Sequence, residues 1–201
     1  MVLNPARTMN NDDISKYMSF ALRHKPDAAG IVLDAAGWTS TASMLQALQR
    51  SGKDVTTMRL IEVVETNDKR RFEFNDDRSM IRASQGHSVT VELGYTAQVP
   101  PCILFHGTVA RFLPPIRSTG LIKGQRQHVH LSAEVATAVA VGARRGDALI
   151  LRIRAEEMHH LGHAFFLSTN GVWLTAAVPA AFIEFPDHPS SPNATPPAHS
   201  G

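Results

Sequence analysis

Arg23 and His24 stand side by side in Leu22-Arg23-His24-Lys25-Pro26, a guanidinium and a titratable imidazole at an expected helix C-terminus. The helix dipole favours positive charge there, so a solvated helix end explains the pair as well as phosphate binding does. A second polar cluster, Arg82-Ala83-Ser84-Gln85-Gly86-His87-Ser88, falls between two expected strands. Such a loop can hold a phosphate through its arginine and its backbone N–H groups, or it can be an ordinary turn. His106-Gly107-Thr108 follows an apolar run. A glycine at a strand end admits a ligand close to the backbone, and His and Thr offer hydrogen bonds to a ribose or an amide. In Arg126-Gln127-His128-Val129-His130-Leu131-Ser132, alternation puts Val129 and Leu131 on the buried face and the two histidines on the other. Two imidazoles pointing one way invite a metal, yet no nearby carboxylate or cysteine completes a ligand set, so no metal is expected.

Taken together, Arg23, His24, Arg82 and Arg126 are residue types suited to a phosphate dianion, because guanidinium binds it with two parallel hydrogen bonds. Between Pro101 and Arg154 there are eight basic residues against Glu134 and Asp147. That bias suits a polyanion such as RNA or a dinucleotide, or simply makes a solvated basic face. There is no Walker loop, no GxGxxG after a strand, no HExxH and no GxSxG.

The elements that must position these residues follow from periodicity. Asp12 or Asp13 is an expected cap for a helix through Ile14, Tyr17, Met18, Ala21 and Leu22, ending at Arg23-His24 because Pro26 disfavours helix before it. A second helix is expected over Ala42 to Arg50, stopped at Gly52, and a third after Thr56 or Thr57. After Lys69 the period becomes two: Phe72 and Phe74, a turn at Asn75-Asp76-Asp77, a return from Ile81, then a further strand at Val89, Val91 and Leu93. Three helices and a β-hairpin are the order of a winged-helix domain, placed at 11–93. Gly94 to Pro101 reads as a linker. Beyond it come a helical stretch around Val109 to Ile116, a strand at Val129–Leu131, a helix from Ser132 to Ala143 with Ser132 as its cap, and strands at Leu149–Ile153 and Phe165–Leu167. Asn170-Gly171 signals a hairpin to Val172–Leu174, and Phe182–Phe185 closes a second domain over 95–186. The pattern is α+β. Residues 1–10 read as a loose leader and 187–201 as a disordered Pro/Ser-rich tail.

Bulk properties narrow the class. An apolar fraction of 43% excludes a chain disordered throughout. One cysteine, Cys102, excludes a disulfide framework and a cysteine-based zinc site; its apolar neighbours suggest a buried thiol. No stretch has the apolar length of a membrane span, and the N-terminus lacks a signal-peptide core, so a cytoplasmic protein is the default.

In order along the chain, LRHKP, LDAAGW, IRASQGHS, LFHGT, RQHVHLS and GVWLTAAVP resemble the motifs of the NAD⁺-dependent tRNA 2′-phosphotransferase family, from about Ile14 to Phe185. Two positions depart from that pattern: Ser84, where the family usually has Asn, and Thr39, where an aliphatic residue is common. The resemblance implies an N-terminal winged-helix lobe that meets RNA and a C-terminal ADP-ribosyltransferase-like lobe. It implies Arg23, His24, Arg82 and Arg126 as the catalytic group. His106, Gly107, Thr108, His130, Ser132 and Val172 would be the NAD-binding group, Val172 standing where related transferases carry a glutamate base. NAD is then a co-substrate, no metal is needed, the partner is RNA carrying an internal 2′-phosphate, and the protein is expected to be a monomer in tRNA processing. The alternatives are a transferase that stops once ADP-ribose is attached, and a non-enzymatic nucleic-acid-binding protein.

Overall fold

The computed structural model describes residues 10–186. The expected tail over 187–201, and the leader apart from residue 10, lie outside the described residues. Helix α1 (Asn11–Arg23) is capped by Asn10, two residues before the first of the expected caps, because the Asn10 side chain accepts the Asp12 N–H. Asp12 and Asp13 instead occupy the first turn, where carboxylates suit the dipole. Ile14, Met18, Ala21 and Leu22 form its buried stripe. It ends at Arg23 because Pro26 opens a separate one-turn helix, α2 (Pro26–Ala29). Then come β1 (Thr39–Ser40), α3 (Thr41–Arg50) capped by Ser40, and α4 (Thr57–Glu65) capped by Thr56. β2 (Phe72–Phe74) and β3 (Met80–Ala83) form the expected hairpin, and β1 pairs with the other edge of β3. In this part of the chain, α2 and β1 are additions to the expected elements.

The expected strand at Val89–Leu93 does not form. Only Val91 of its three apolar residues is buried. Its polar backbone bonds to loops instead: Glu92 N–H to Ala35 O, and Val91 O to the Gln127 side chain. The second polar cluster is therefore not an inter-strand loop: Arg82 and Ala83 belong to β3, and the loop begins at Ser84.

The remainder contains β4 (Ile103–Val109), α5 (Leu113–Thr119), β5 (Leu121–Ile122), β6 (Val129–Leu131) and α6 (Val135–Gly142). After them come β7 (Ala148–Arg154), α7 (Ala155–His160), β8 (Phe165–Leu167), β9 (Trp173–Thr175), β10 (Ala177–Val178) and β11 (Ile183–Glu184). Three antiparallel sheets result, ordered β11-β7-β4, β6-β9-β8 and β10-β5. Asn170-Gly171 does turn β8 into β9, with Gly171 at φ 78°. The molecule is mixed helix and sheet, as the α+β reading expects.

Two hydrophobic cores organise it. One draws on α1, α3, α4, β2 and β3; the other on β4 through β11. The stretch expected as a linker is stitched down: Tyr95 Oη donates to Ser84 O at 2.5 Å, and Gln98 N–H to Phe165 O at 2.8 Å. Cys102 is exposed, against expectation. Its carbonyl accepts the N–H groups of Ala155 and Glu156 at the start of α7, which turns the thiol outward toward Glu156.

Two further expectations need correction. Ser132 does not cap α6; the cap position is Glu134, and Ser132 Oγ closes the preceding turn by accepting Glu134 N–H and donating to Glu134 O. His106-Gly107-Thr108 lies inside β4 rather than after it. Gly107 is there for packing: a Cβ would come within 1.9 Å of Ala138 O, so helix α6 rests on bare backbone. Gly107→Ala must push α6 off β4. Overpacking of this kind costs about 3 kcal/mol, a fall in melting temperature of roughly 10 °C for a chain this size. An unchanged melting temperature would contradict this packing.

Candidate active site

The end of α1 delivers Arg23 to the junction between the two cores. Its Nη2 donates to Arg71 O at 3.1 Å, its guanidinium lies 5.8 Å from the Phe72 ring, and its buried Nε has no protein partner. Burial, then the charges of Arg71 and Arg126, pull its pKa down to about 10. His24 follows, exposed, with Nδ1 3.0 Å from Ser88 Oγ. Ser88 also gives its N–H to Arg23 O, so the loop from Ser84 to Ser88 splints the helix end. Burial, Arg23 and Arg126 lower the His24 pKa.

From the other core, Arg126 places Nη1 2.9 Å from His130 Nδ1. A guanidinium only donates, so His130 accepts at Nδ1 and carries its proton on Nε2. Burial, reinforced by Arg126 and Arg23, holds the His130 pKa down to about 3. His106 Nδ1 donates in turn to His130 O at 3.0 Å, which leaves its Nε2 as an acceptor. Strands β4 and β6 thus present one imidazole acceptor and one imidazole donor, each with its tautomer fixed by its neighbour.

Gly86 is the contact point between the halves. At φ 90° a side chain is strained, and a Cβ would lie 3.5 Å from His130 Cε1 and 3.6 Å from Arg23 Nη1. Gln127 bonds across the same seam, its N–H to His87 O at 3.1 Å and its Nε2 to Val91 O at 2.9 Å. That fixes the backbone next to Arg126.

The structure brings Arg23, His24, Arg126, His106 and His130 together but gives Arg82 other work. Its Nε holds Glu73 at 2.6 Å, its Nη1 reaches Ala36 O and Leu93 O, and its plane lies 4.5 Å from the Trp38 ring. Arg71 stands at the cluster instead. It acts on Arg23 and Lys69, and Arg144 acts on it in turn. The basic run Lys69-Arg70-Arg71 ahead of Phe72 was the signal that could have found it. Buried Ser84, the departure from the family pattern, braces this run: its Oγ donates to Arg70 O and its N–H to Arg71 O, both at 2.9 Å. Arg144 and Arg145, on a 3₁₀ turn after α6, press on Arg71 and Arg126. Of the remaining expected residues, Thr108 is buried in β4, Ser132 is half-buried at the β4–β6 bridge, and Val172 is tied to Ser168 in the β8–β9 turn. Among the described residues no three His, Cys, Asp or Glu side chains converge to hold a metal. No described helix is long and apolar enough to cross a membrane.

His87 and His130 imply a pH dependence of stability. The His87 ring is buried with neither nitrogen hydrogen-bonded, and burial, then Arg23, take its pKa to about 4. A depressed histidine pKa means the unfolded chain binds the extra proton, so stability is full above the unfolded value near 6.5 and falls as pH drops toward 4. Melting temperature is expected to decline from pH 7 to pH 4, and less steeply in His87→Leu. Parallel curves for the two proteins would refute the assignment.

Six cations (Arg23, Lys69, Arg71, Arg126, Arg144 and Arg145) face one seam, opposed by Asp12 and Asp68. Guanidiniums gathered in this way are residue types suited to phosphate oxygens. Residues 9–177 match the family described as RNA 2′-phosphotransferase, Tpt1 / KptA family. The chain is 49% identical over 173 residues to a probable RNA 2′-phosphotransferase of Pseudomonas aeruginosa, covering 86% of this chain and 95% of that one. It is 48% identical over 179 residues to a probable RNA 2′-phosphotransferase of Escherichia coli, covering 89% and 92%. The chain belongs to the RNA 2′-phosphotransferase family.

Proposed function

We propose that the chain removes an internal 2′-monophosphate from RNA by transferring it to NAD⁺, with a winged-helix lobe over 11–93 and an ADP-ribosyltransferase-like lobe over 95–186. The observation that carries this reading is the convergence of Arg23, Arg71 and Arg126 beside the His106–His130 pair. The guanidiniums suit a phosphate dianion, and the two imidazoles, one accepting and one donating, suit a ribose and an amide.

In the first step an oxygen of the RNA 2′-phosphate attacks C1″ of the nicotinamide ribose. The C1″–N bond breaks, and its electron pair neutralises the departing nicotinamide. Arg23 and Arg71 hold the phosphate in line. A dianion is already a nucleophile, so Val172 in place of a glutamate base costs nothing. In the second step the ribose 2″-OH of RNA-2′-phospho-ADP-ribose attacks phosphorus and loses its proton to solvent, the bond to the RNA 2′-oxygen breaks, and that oxygen takes a proton from His24. RNA with a free 2′-OH and ADP-ribose 1″,2″-cyclic phosphate leave. His24 is the proton carrier: Nδ1 is engaged with Ser88, which leaves Nε2 for the substrate. A bound dianion offsets the repulsion from Arg23 and Arg126 that lowers its pKa, so substrate itself charges the histidine.

The test is nicotinamide release from NAD⁺ with 2′-phosphorylated RNA, run with and without excess EDTA. Release is expected only with the phosphorylated RNA and undiminished by EDTA, because arginine neutralises the phosphate. No release rules out the function; loss with EDTA, restored by a divalent ion, rules out metal-free catalysis.

A further inference from the structure

Beside His24 and Arg71 a groove of about 520 Å³ runs along α1, lined also by Phe20, Asn67, Asp68 and Lys69. Its size fits one small ligand rather than a duplex. Phe20 lies one helical turn before His24, on the same side of α1. Phe20 is 42% exposed, although α1 has a complete buried stripe without it. The ring leans on Tyr17 at 6.3 Å, and Tyr17 is fixed by its hydroxyl donating to Ala47 O at 2.9 Å. An exposed but propped aromatic beside a phosphate-binding cluster is the arrangement on which single-stranded bases stack. The carboxylates of Asp12 and Asp68 act on Lys69 at this end. They disfavour a second phosphate there and offer acceptors to the amino groups of a base.

We infer that this groove is a base-stacking subsite for the nucleotide adjoining the 2′-phosphate, with the Phe20 ring as its platform. The inference rests on the RNA reading above and specifies it: the strand enters along α1 and sets one flanking base on Phe20. The 2′-phosphate then falls at His24, Arg23 and Arg71.

Binding is read by fluorescence anisotropy without NAD⁺, using a short labelled RNA with one internal 2′-phosphate. Its 5′ or 3′ neighbour is either intact or abasic. With the wild-type chain, one of the two abasic RNAs is expected to bind about tenfold more weakly. Phe20→Ala should weaken the intact RNA by the same factor, with no further penalty for removing that base, and Phe20→Trp should restore both affinity and base dependence. Phe20→Ala binding intact RNA as the wild type does, or keeping the full abasic penalty, overturns the inference. Because Phe20 lies outside the core, thermal melting of the variant should match the wild type; if it does not, Phe20→Trp alone decides, and loss of the base dependence in that variant overturns the inference. Nicotinamide release by the wild-type chain is scored separately, so failure of the proposed reaction is distinguishable from failure of this subsite.

Discussion

Arg126→Ala is expected to stall the reaction halfway, with RNA-2′-phospho-ADP-ribose accumulating. Arg126 comes from the chain segment of His130, touching its Nδ1, and not from the helix end that carries Arg23 and His24. It therefore matters most once ADP-ribose and phosphate are joined. At that stage the 2″-OH attacks a phosphodiester, and the transition state gathers negative charge that a guanidinium binds with two hydrogen bonds. Losing such a donor costs about 3 kcal/mol, a rate loss of roughly a hundredfold. The first step develops its charge at the sugar and loses less. A gel time course with radiolabelled 2′-phosphorylated RNA should show a slower-migrating band that persists. Equal slowing of both steps, with no such band, would falsify this division of labour.

Arg71→Ala should slow formation of the intermediate itself by about a hundredfold, as Arg23→Ala should, because both hold the attacking dianion. Arg82→Ala should behave differently, despite the motif in which it sits. Removing it strands a half-buried Glu73 carboxylate and two backbone carbonyls, at a cost of about 2–3 kcal/mol in stability. Assayed well below its melting temperature, that variant should retain turnover within a few-fold of wild type. The comparison needs single-turnover rates and melting curves for both variants. A folded Arg82→Ala protein that makes no intermediate, beside an active Arg71→Ala, would return the phosphate-holding role to Arg82.

Much of this is legible in the sequence, and what is not has physical causes. The buried stripe of α1, the β2–β3 hairpin and the Asn170-Gly171 turn are local patterns, set by residues within a few positions of each other. Arg82 was misplaced because a motif records which residues occur, not where a side chain points. Alternation along β3 sends Arg82 to the face shared with Glu73 and Trp38. Val89–Leu93 alternates as a strand does, yet its hydrogen bonds go to the loop at Ala35 and to Gln127, partners distant in sequence. Gly107 looked like an opening for a ligand because sequence cannot show that helix α6 occupies the space. Glu134 displaced Ser132 as the α6 cap because Ser132 pairs with Phe105 across the bridge to β4.

The outward-facing thiol of Cys102 governs how the protein meets oxidants. One cysteine admits no internal disulfide, so any disulfide it forms must take its second thiol from another molecule. The thiolate is the species that exchanges or is oxidised, and the hydrogen bond to Glu156, together with that carboxylate's charge, holds the sulfur protonated by raising its pKa. A thiol placed within easy reach of oxidants is thereby biased toward its protonated, less nucleophilic form.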